Sequence, residues 1–285
     1  MKLEDFKKKN EKDIFELQQR EEVPLLFYKR LQKIPWIKHC FTTRGGGVSQ
    51  GIFSSMNLSF TRGDEREAVE ENFHRIAKAM GTEYGKFVFT DQTHTTNVRK
   101  VEAKDAGAGI LRERGYHDVD GLITDVPGMV LSTFYADCVP LYFVDTEHHA
   151  IGLSHSGWRG TVGHMGRVTI EAMNREYGTK PEQLLCAIGP SICQDCYEVS
   201  EDVIEEFRRH FDRELWPELF YPKENGKYQL NLWKANEAVL TEAGILKEHI
   251  AVTNVCTHCN PEILFSHRTT GDKRGNLSAF LALKE

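Results

Sequence analysis

Three apolar segments that follow one another closely constrain the fold of this chain more than any other feature of its sequence. They read "MVLSTFY", "VPLYFVD" and "HAIGLSH" at 129–135, 139–145 and 149–155, and they are rich in the β-branched and aromatic residues that favour strands. Further strand-type segments are predicted at 36–44, 86–90 and 97–101, and in "LLCAIG", "IAVTNV" and "LSAFLAL". Apolar residues at helical spacing predict helices at 65–80, 161–177, 199–211 and 231–243. Because these elements alternate without a repeat or a clear boundary, we predict an α+β fold, a single domain with mixed β-sheets flanked by helices.

Charge and apolar content narrow the range of partners. The chain has 285 residues, with 36 lysines and arginines against 42 aspartates and glutamates, and its formal net charge is −6. Since the two signs are interspersed, the sequence lacks a basic stripe that could neutralise nucleic-acid phosphates. No apolar run approaches the ~20 residues that a membrane-spanning helix needs, and the first residues lack the apolar stretch of a secretory signal. We therefore expect a cytoplasmic protein with neither nucleic acid nor membrane as partner, and the oligomeric state stays open.

The first residues differ from the rest of the chain in composition. Residues 1–22 are highly charged and contain few sizeable apolar side chains. This pattern is typical of a surface helix or a loosely attached arm. We predict an N-terminal helical extension over residues 1–22 and a catalytic domain over residues 23–285.

Polar residues interrupt three of the strand-type segments. The interruptions are "DQTH" ending at His94, "ADCVP" around Cys138 and "LSHSGWRG" around His155. Two imidazoles and a thiolate are good ligands for Zn²⁺, and three protein ligands leave one coordination position for water or substrate. Taken singly, each histidine is as readily a hydrogen-bonded residue at a strand end, and the cysteine a small buried hydrophobe. Their separations of 44 and 17 residues match no local ligand motif.

Two glycine-rich turns could bind an anion. "TRGGGVSQG" at 43–51 could present backbone N–H groups to an anion, with Arg44 alongside, or it could be a flexible hairpin-like loop. In "HSGWRGT", Gly157 and Gly160 would let the backbone approach a ligand closely. Arg159 offers a planar fork for phosphate or carboxylate, and the alternative is a capped turn into the following helix.

Four of the seven cysteines form two Cys-x-x-Cys pairs, Cys193/Cys196 and Cys256/Cys259. Four thiolates make a closed structural zinc site. The 59 residues between the pairs far exceed the ~15–20 of compact zinc modules, and nothing in the sequence brings the pairs together. Buried or surface thiols are therefore the simpler expectation, and a second metal stays open.

Blocks of sequence over most of the chain resemble one known family. From about residue 36 to residue 282 the chain is similar to the YfiH/YlmD family, in the blocks "TTRGGGVSQGIFSSMNL", "DQTH", "ADCVPL", "HSGWRGT", "AIGPSIC", "CYEV", "CTHCNPEILFSHR" and "RGNLSAF". Its members were long labelled multicopper polyphenol oxidoreductases, or laccase-like, and are now regarded as purine nucleoside enzymes. The resemblance implies a layered α/β/β/α architecture. It also implies phosphorolysis of adenosine, inosine and 5′-methylthioadenosine to the free base and (methylthio)ribose 1-phosphate, with deamination of adenosine as a further activity.

The same resemblance implies a ligand set and substrates. Family members hold a metal, generally Zn²⁺, by a His, a Cys and a His, which by motif match are His94, Cys138 and His155, and these would also be the catalytic residues. Purine nucleosides and phosphate are the implied small-molecule partners. The residues expected to bind substrate, on their position in the matched blocks or their affinity for anions, are Arg44, Asn57, Gln92, Asp137 and Arg159. Which arginine holds phosphate, and which of the two reactions dominates, stays open.

Two other functions compete with this interpretation. Two histidines and a cysteine are also the ligand set of blue-copper centres, so Cu²⁺ and a polyphenol oxidase activity are the first alternative. A multicopper oxidase needs further histidine-rich sites, however, and the 12 histidines of this chain include no His-x-His pair. A non-catalytic metal-binding protein is the second alternative, and it predicts a closed site with four ligands and no turnover.

Overall fold

Two six-stranded mixed sheets stack face to face in the computed structural model, which describes residues 2–285. The strands are β1 (Phe15–Arg20), β2 (Val23–Tyr28), β3 (Ile37–Thr42), β4 (Phe87–Phe89), β5 (Val98–Lys100), β6 (Gly121–Thr124), β7 (Val130–Tyr135), β8 (Val139–Asp145), β9 (Ala150–Ser156), β10 (Leu184–Ile188), β11 (Glu198–Val199), β12 (Phe220–Pro222), β13 (Tyr228–Leu230), β14 (Ile250–Val252) and β15 (Leu277–Leu283). The α-helices are α1 (Arg66–Met80), α2 (Trp158–Val162), α3 (Met165–Tyr177), α4 (Glu201–His210), α5 (Trp216–Leu219), α6 (Leu232–Glu242) and α7 (His267–Thr270).

Strand order defines the two large sheets. The first sheet runs β1-β2-β3-β15-β7-β4, and the second runs β14-β10-β8-β9-β6-β5. Three strand pairs are parallel: β4–β7, β10–β14 and β5–β6. All other neighbouring pairs in the two large sheets are antiparallel. A small antiparallel sheet, β11-β13-β12, lies beside the second sheet's helices. The predicted mixed sheets are therefore confirmed.

Side-chain alternation along the strands builds the core. In β8, Tyr142 and Val144 enter the cluster between the sheets, while Leu141 and Phe143 point to the outer, helix-covered face. All four are fully buried, and each such burial is worth about 1.5–3 kcal/mol. Because β8 is buried on both faces, it reads as a continuous apolar run rather than an alternating one.

Helices cover both outer faces. On the first sheet, α1 buries Val69, Phe73 and Ile76, and it ends at Gly81 in the left-handed region (φ 62°). On the second sheet lie α3, α4 and α6. Within residues 2–285, none of the helices combines the length and the apolar character that a membrane crossing requires. The layers follow the order α/β/β/α that the family resemblance implies.

One predicted helix is divided in the structure. The segment 161–177 forms the end of α2 and the whole of α3, separated at Gly163 and His164. His164 adopts a left-handed conformation (φ 55°), which a continuing helix does not allow. The apolar spacing runs through this break, so periodicity alone could not reveal it.

The predicted helical extension at the N-terminus is wrong. Among the described residues of this segment the only helical turn is the short 3₁₀ turn Leu3–Asp5, and β1 pairs with β2 at the edge of the first sheet. Phe15 is 2% exposed and its ring lies 4.6 Å from that of Tyr28, so the apolar residues of this charged segment serve the core. The predicted boundary between residues 22 and 23 falls inside the β1–β2 hairpin.

Candidate functional site

Two chain crossings between the sheets meet at one end of the sandwich. Residues 90–97 connect β4 of the first sheet to β5 of the second, and residues 136–138 connect β7 to β8 in the same direction. The first crossing carries His94 and the second carries Cys138. His155 reaches the same place because β9 is antiparallel to β8, with His155 opposite Pro140. The fold thus brings together three residues that the sequence predicts as ligands.

The ligand atoms of this triad are close enough to share one ion. They all lie within 4.8 Å of one another, and Cys138 Sγ lies 3.9 Å from His94 Nε2. A tetrahedral Zn²⁺ with bonds of about 2.0–2.3 Å keeps its ligand atoms about 3.3–3.8 Å apart. His155 is buried, Cys138 is partly buried and His94 is exposed, so the triad opens on one side.

Gly157 leaves room for an ion at the triad. A Cβ at this position would lie 3.0 Å from a ring carbon of His94 and 3.1 Å from Cys138 Sγ. Both distances are shorter than ordinary van der Waals contact, so any larger residue would push the ligands apart. The donor set and this cradle fit a divalent ion that binds nitrogen and sulfur, such as Zn²⁺.

Asp120 positions two of the three ligands from behind. It is fully buried, its Oδ1 lies 2.7 Å from His155 Nδ1, and its carboxylate accepts from the backbone N–H groups of Thr93, His94 and Thr95. Burial opposes its ionisation, but these hydrogen bonds bring its pKa below the ordinary value. With Nδ1 held by Asp120, Nε2 of His155 is the nitrogen available to a metal.

Charges within the triad stabilise a thiolate. Burial opposes ionisation of Cys138, but the charge and hydrogen bonds of His155 and His94 lower its pKa to about 6. Burial likewise disfavours the charged form of His155, yet the Cys138 thiolate and Asp120 raise its pKa to about 9. A thiolate is the form of cysteine that binds metals.

Two connected cavities flank the triad. The first, here called the aromatic cavity, has a volume of about 260 Å³ and is lined by Phe60, Phe89 and Phe134. The second, the arginine cavity, has a volume of about 270 Å³ and is lined by Arg62, Arg159, Arg268 and Arg274. The residues common to both walls are Arg62, His94, Ala136, Cys138 and Arg274. Each cavity alone is slightly smaller than the ~300 Å³ at the lower end of ligand pockets, and the shared residues place the two side by side.

The structure brings three of the five predicted substrate residues to these cavities. Arg159 lines the arginine cavity and stacks over the ring of Trp158. Asp137 lies beside it in a left-handed conformation (φ 91°), and its carboxylate accepts from the Thr257 hydroxyl and the Arg268 N–H. Gln92 lines the aromatic cavity, but its amide bridges the backbone of Phe134.

Arg44 and Asn57 line neither cavity. The Arg44 guanidinium donates to the carbonyls of Ser54 and Pro261 and lies over the ring of Phe265. The buried Asn57 side chain donates to Asp64 and accepts from the N–H of Asn276. Both residues therefore hold loops together, and this geometry gives their predicted role in substrate binding no support.

Sequence reasoning missed two residues of the site. Arg274 is 6% exposed and lines both cavities; burial lowers its pKa to about 10, and its Nε has no hydrogen-bond partner within residues 2–285. An unpaired buried donor costs about 1–3 kcal/mol, which an anionic ligand would recover. The block "RGNLSAF" contains Arg274 and could have indicated it. Asp120 carries no comparable local signal, since it stands 26 and 35 residues from the ligands that it positions.

Comparisons with known proteins identify the family of this chain. A family model described as multi-copper polyphenol oxidoreductase laccase matches residues 38–284. Purine nucleoside phosphorylase YlmD of Bacillus subtilis (strain 168) is 35% identical over 250 residues, which cover 86% of this chain and 88% of the relative. Adenosine deaminase RL5, from an unknown prokaryotic organism, is 34% identical over 236 residues, which cover 82% of this chain and 89% of that protein. The crystal structure of YlmD from Geobacillus stearothermophilus matches with a TM-score of 0.89 and 33% identity, over 96% of this chain and all of that chain. The chain therefore belongs to the YfiH/YlmD family, described as multi-copper polyphenol oxidoreductase laccase.

Proposed function

We propose that this chain is a cytoplasmic, zinc-dependent purine nucleoside phosphorylase that cleaves adenosine, inosine and 5′-methylthioadenosine, with adenosine deaminase activity in the same site. The observation that carries the proposal is the three-ligand triad, open on one side and placed between an aromatic and an arginine-lined cavity. The names of the relatives, a phosphorylase and a deaminase of purine nucleosides, support the same reaction classes.

His94, Cys138 and His155 would hold the Zn²⁺ ion. When bound, Zn²⁺ would act as a Lewis acid that polarises a substrate oxygen or nitrogen, and it would lower the pKa of a water molecule toward neutral pH. Asp120 keeps the His155 ring and the backbone before His94 in place, so that the ligands need not reorganise during the reaction. The exposed side of the triad faces the two cavities, where substrates would enter.

The arginine cavity is the proposed site for orthophosphate. Arg159 and Arg274 offer planar donors on its wall, and the unpaired Nε of Arg274 would find its partner in a phosphate oxygen. Arg268 donates its guanidinium to the carbonyl of Glu198, so its role is to shape this wall. A phosphate held here lies beside the residues common to both cavities, next to a nucleoside in the aromatic cavity.

The aromatic cavity is the proposed site for the nucleoside. Phe60 and Phe134 offer apolar ring surface for a purine base, whose ribose would then point to the shared wall. In phosphorolysis the C1′–N9 bond breaks, its electron pair stays with the base, which takes a proton, and a phosphate oxygen bonds to C1′. Holding both reactants in adjacent cavities makes this an effectively unimolecular step. In deamination, water attacks C6 of adenosine and ammonia leaves, without phosphate.

Product analysis tests the proposal directly. Purified protein of known metal content is incubated with adenosine, with and without phosphate, and the products are separated by chromatography. Without phosphate we expect inosine as the product. With phosphate we expect adenine and ribose 1-phosphate, and hypoxanthine from any inosine that forms. A Cys138→Ala variant should form none of these products. A fully zinc-loaded protein that leaves adenosine, inosine and 5′-methylthioadenosine unchanged would contradict the proposal.

A copper-dependent polyphenol oxidase is the second candidate, and two observations favour it. They are the name of the matched family, multi-copper polyphenol oxidoreductase laccase, and the two-histidine, one-cysteine ligand set. Within residues 2–285, however, the other cluster of close metal-ligating side chains consists of cysteines alone, whereas a multicopper oxidase needs further histidine-rich copper sites. Oxygen consumption with a phenolic substrate, measured on copper-loaded and zinc-loaded protein, separates this candidate from the first.

A further inference from the structure

The two Cys-x-x-Cys pairs, far apart in sequence, meet in space. They follow β10 and β14, which are parallel neighbours with Ile188 opposite Val252. The pairing continues past the strands, with a bridge between Ser191 and Cys256. Two loops therefore leave the same edge of the second sheet side by side. As a result, Cys193 lies by Cys256, and Cys196 lies by Cys259, at one constant offset of 63 residues.

The four sulfur atoms form a compact cluster. All of them lie within 4.8 Å of one another, and the Sγ atoms of Cys196 and Cys259 are 3.5 Å apart. The backbone N–H of Cys193 donates to Cys256 Sγ at 3.2 Å, an interaction that supports negative charge on sulfur. Cys193 and Cys256 are buried, whereas the other two are partly buried.

We propose that Cys193, Cys196, Cys256 and Cys259 bind a second metal ion, a structural Zn²⁺ in a closed tetrahedral site. Four thiolates satisfy the coordination of Zn²⁺, and bonds of about 2.3 Å place tetrahedral sulfurs about 3.8 Å apart. The observed cluster needs only small adjustments to reach that geometry. This site is independent of the proposed catalytic triad and stands whether or not that triad acts on nucleosides.

A basic side chain lies near the cluster. A Zn²⁺ ion with four thiolates carries two net negative charges, which a nearby cation partly compensates. Lys9 is a cation of this kind: its Nζ pairs with Asp195 at 2.9 Å, in the turn between Cys193 and Cys196. The N-terminal segment is fixed there by backbone pairing of Lys8 with Val255.

The proposed ion would hold one wall of the arginine cavity. Ile192, just before the first cysteine, donates its N–H to the Asp137 carbonyl at 3.0 Å. Thr257, between the second pair, donates its hydroxyl to the Asp137 carboxylate at 2.6 Å. Both contacts come from the cysteine loops, so fixing these loops also fixes Asp137, which precedes the Cys138 ligand. The role of the second site is therefore structural support, outside the reacting atoms.

Metal analysis of the full-length protein tests this proposal. Protein prepared with zinc and without chelator is measured by inductively coupled plasma mass spectrometry. We expect two zinc ions per chain in the unchanged protein, one in a Cys196→Ser/Cys259→Ser variant and one in Cys138→Ala. The double variant should also unfold at a Tm lower by at least about 5 °C, because it loses the metal that joins two loops. Cys186→Ala, which removes a buried thiol from β10 outside the cluster, should keep both ions.

A second measurement tests the proposal without any substitution, in case the double variant fails to fold. Native, unchanged protein is alkylated before and after zinc removal, and the modified cysteines are mapped by mass spectrometry. We expect the four cluster cysteines to be protected by zinc and to react after its removal. Any of three results would overturn the proposal. The four cluster thiols could react even in zinc-loaded protein, or the intact mass could show the loss of hydrogen that indicates disulfides. The Cys138→Ala variant could also contain no zinc at all. Nucleoside turnover is not among these readouts, so failure here is distinct from failure of the proposed activity.

Discussion

The two ligand clusters lie at the same end of the second sheet and differ in almost every chemical respect. The triad combines two imidazoles with one thiolate, and its His94 is exposed beside two cavities. The cysteine cluster has four sulfurs and two buried members, and the nearby cation is Lys9. On the roles proposed above, ligand number and surroundings, rather than position in the fold, separate a reactive metal site from a supporting one.

The charges behind the clusters differ in the same way. In the triad, the Cys138 thiolate and the Asp120 carboxylate would together balance one divalent ion, so the centre would be close to neutral and would not repel an anion. In the cysteine cluster, four thiolates exceed the charge of the ion, so the site repels further anions. Phosphate chemistry is therefore expected at the first cluster only.

The largest effect is expected from removing the thiolate of the triad. Cys138→Ala should lower kcat/KM for nucleosides by on the order of 10³-fold or more, since a metal contributes several kcal/mol of transition-state stabilisation. The chain should stay folded, and the Tm should fall less than in the Cys196→Ser/Cys259→Ser variant, because Cys138 is a single partly buried residue beside a large core. Steady-state kinetics and thermal unfolding check both expectations. Nearly unchanged activity with full zinc content would show that the triad assignment is wrong.

A chelator should remove the zinc ions of the two clusters at different rates. A mild chelator should first remove the ion from the triad, because His94 is exposed and three ligands hold less firmly than four thiolates. Activity should fall with the first zinc released and return when zinc is added. A chromogenic zinc indicator followed alongside activity measures the order. Loss of the cysteine-bound ion first, with full activity retained, would reverse the comparison.

Substitution of Asp120 tests how far zinc binding by the triad depends on the hydrogen bonds that hold its ligands in place. Asp120→Asn should weaken zinc affinity and lower kcat by about 10- to 100-fold, the usual range for a group that orients a metal ligand. Competition with a chelator of known affinity measures the first quantity. Asp118→Asn is the matched control, because Asp118 accepts from the Thr93 hydroxyl without touching His155. Equal effects of both substitutions would assign Asp120 a general role in loop structure instead.

The smallest effect is expected in the arginine cavity. Arg274→Lys keeps the charge but loses Nε and the planar fork, so KM for phosphate should rise by about 10-fold, the value of one or two charge-assisted hydrogen bonds. Deamination of adenosine, which needs no phosphate, should keep its rate. Arg167→Lys, on α3 and outside both cavities, serves as control. An equal loss in both reactions would place Arg274 at the nucleoside rather than at phosphate.

Local sequence patterns predicted most elements of the fold. The segment 139–145 is β8 to the residue, and the helix predicted at 65–80 is α1 within one residue. These predictions succeed because period-two and period-3.6 spacing reflect which side of an element is buried. They failed at β1, a mostly polar strand whose Phe15 packs on Tyr28 of the apolar β2, and at His164, where one left-handed residue divides a helix.

The sequence by itself determined most of the helices and strands of this protein and the chemical types of its ligands. The likeness of its motif blocks to a known family implied the order of the layers and selected His94, Cys138 and His155. Only the tertiary structure decided which distant side chains meet. The parallel pairing of β10 with β14 joins the two cysteine pairs, and two crossings between the sheets place His94 beside Cys138. The physical reason is that helix and strand periodicity is set by near neighbours in the chain. Strand order and register depend instead on how all the apolar faces can be buried at once.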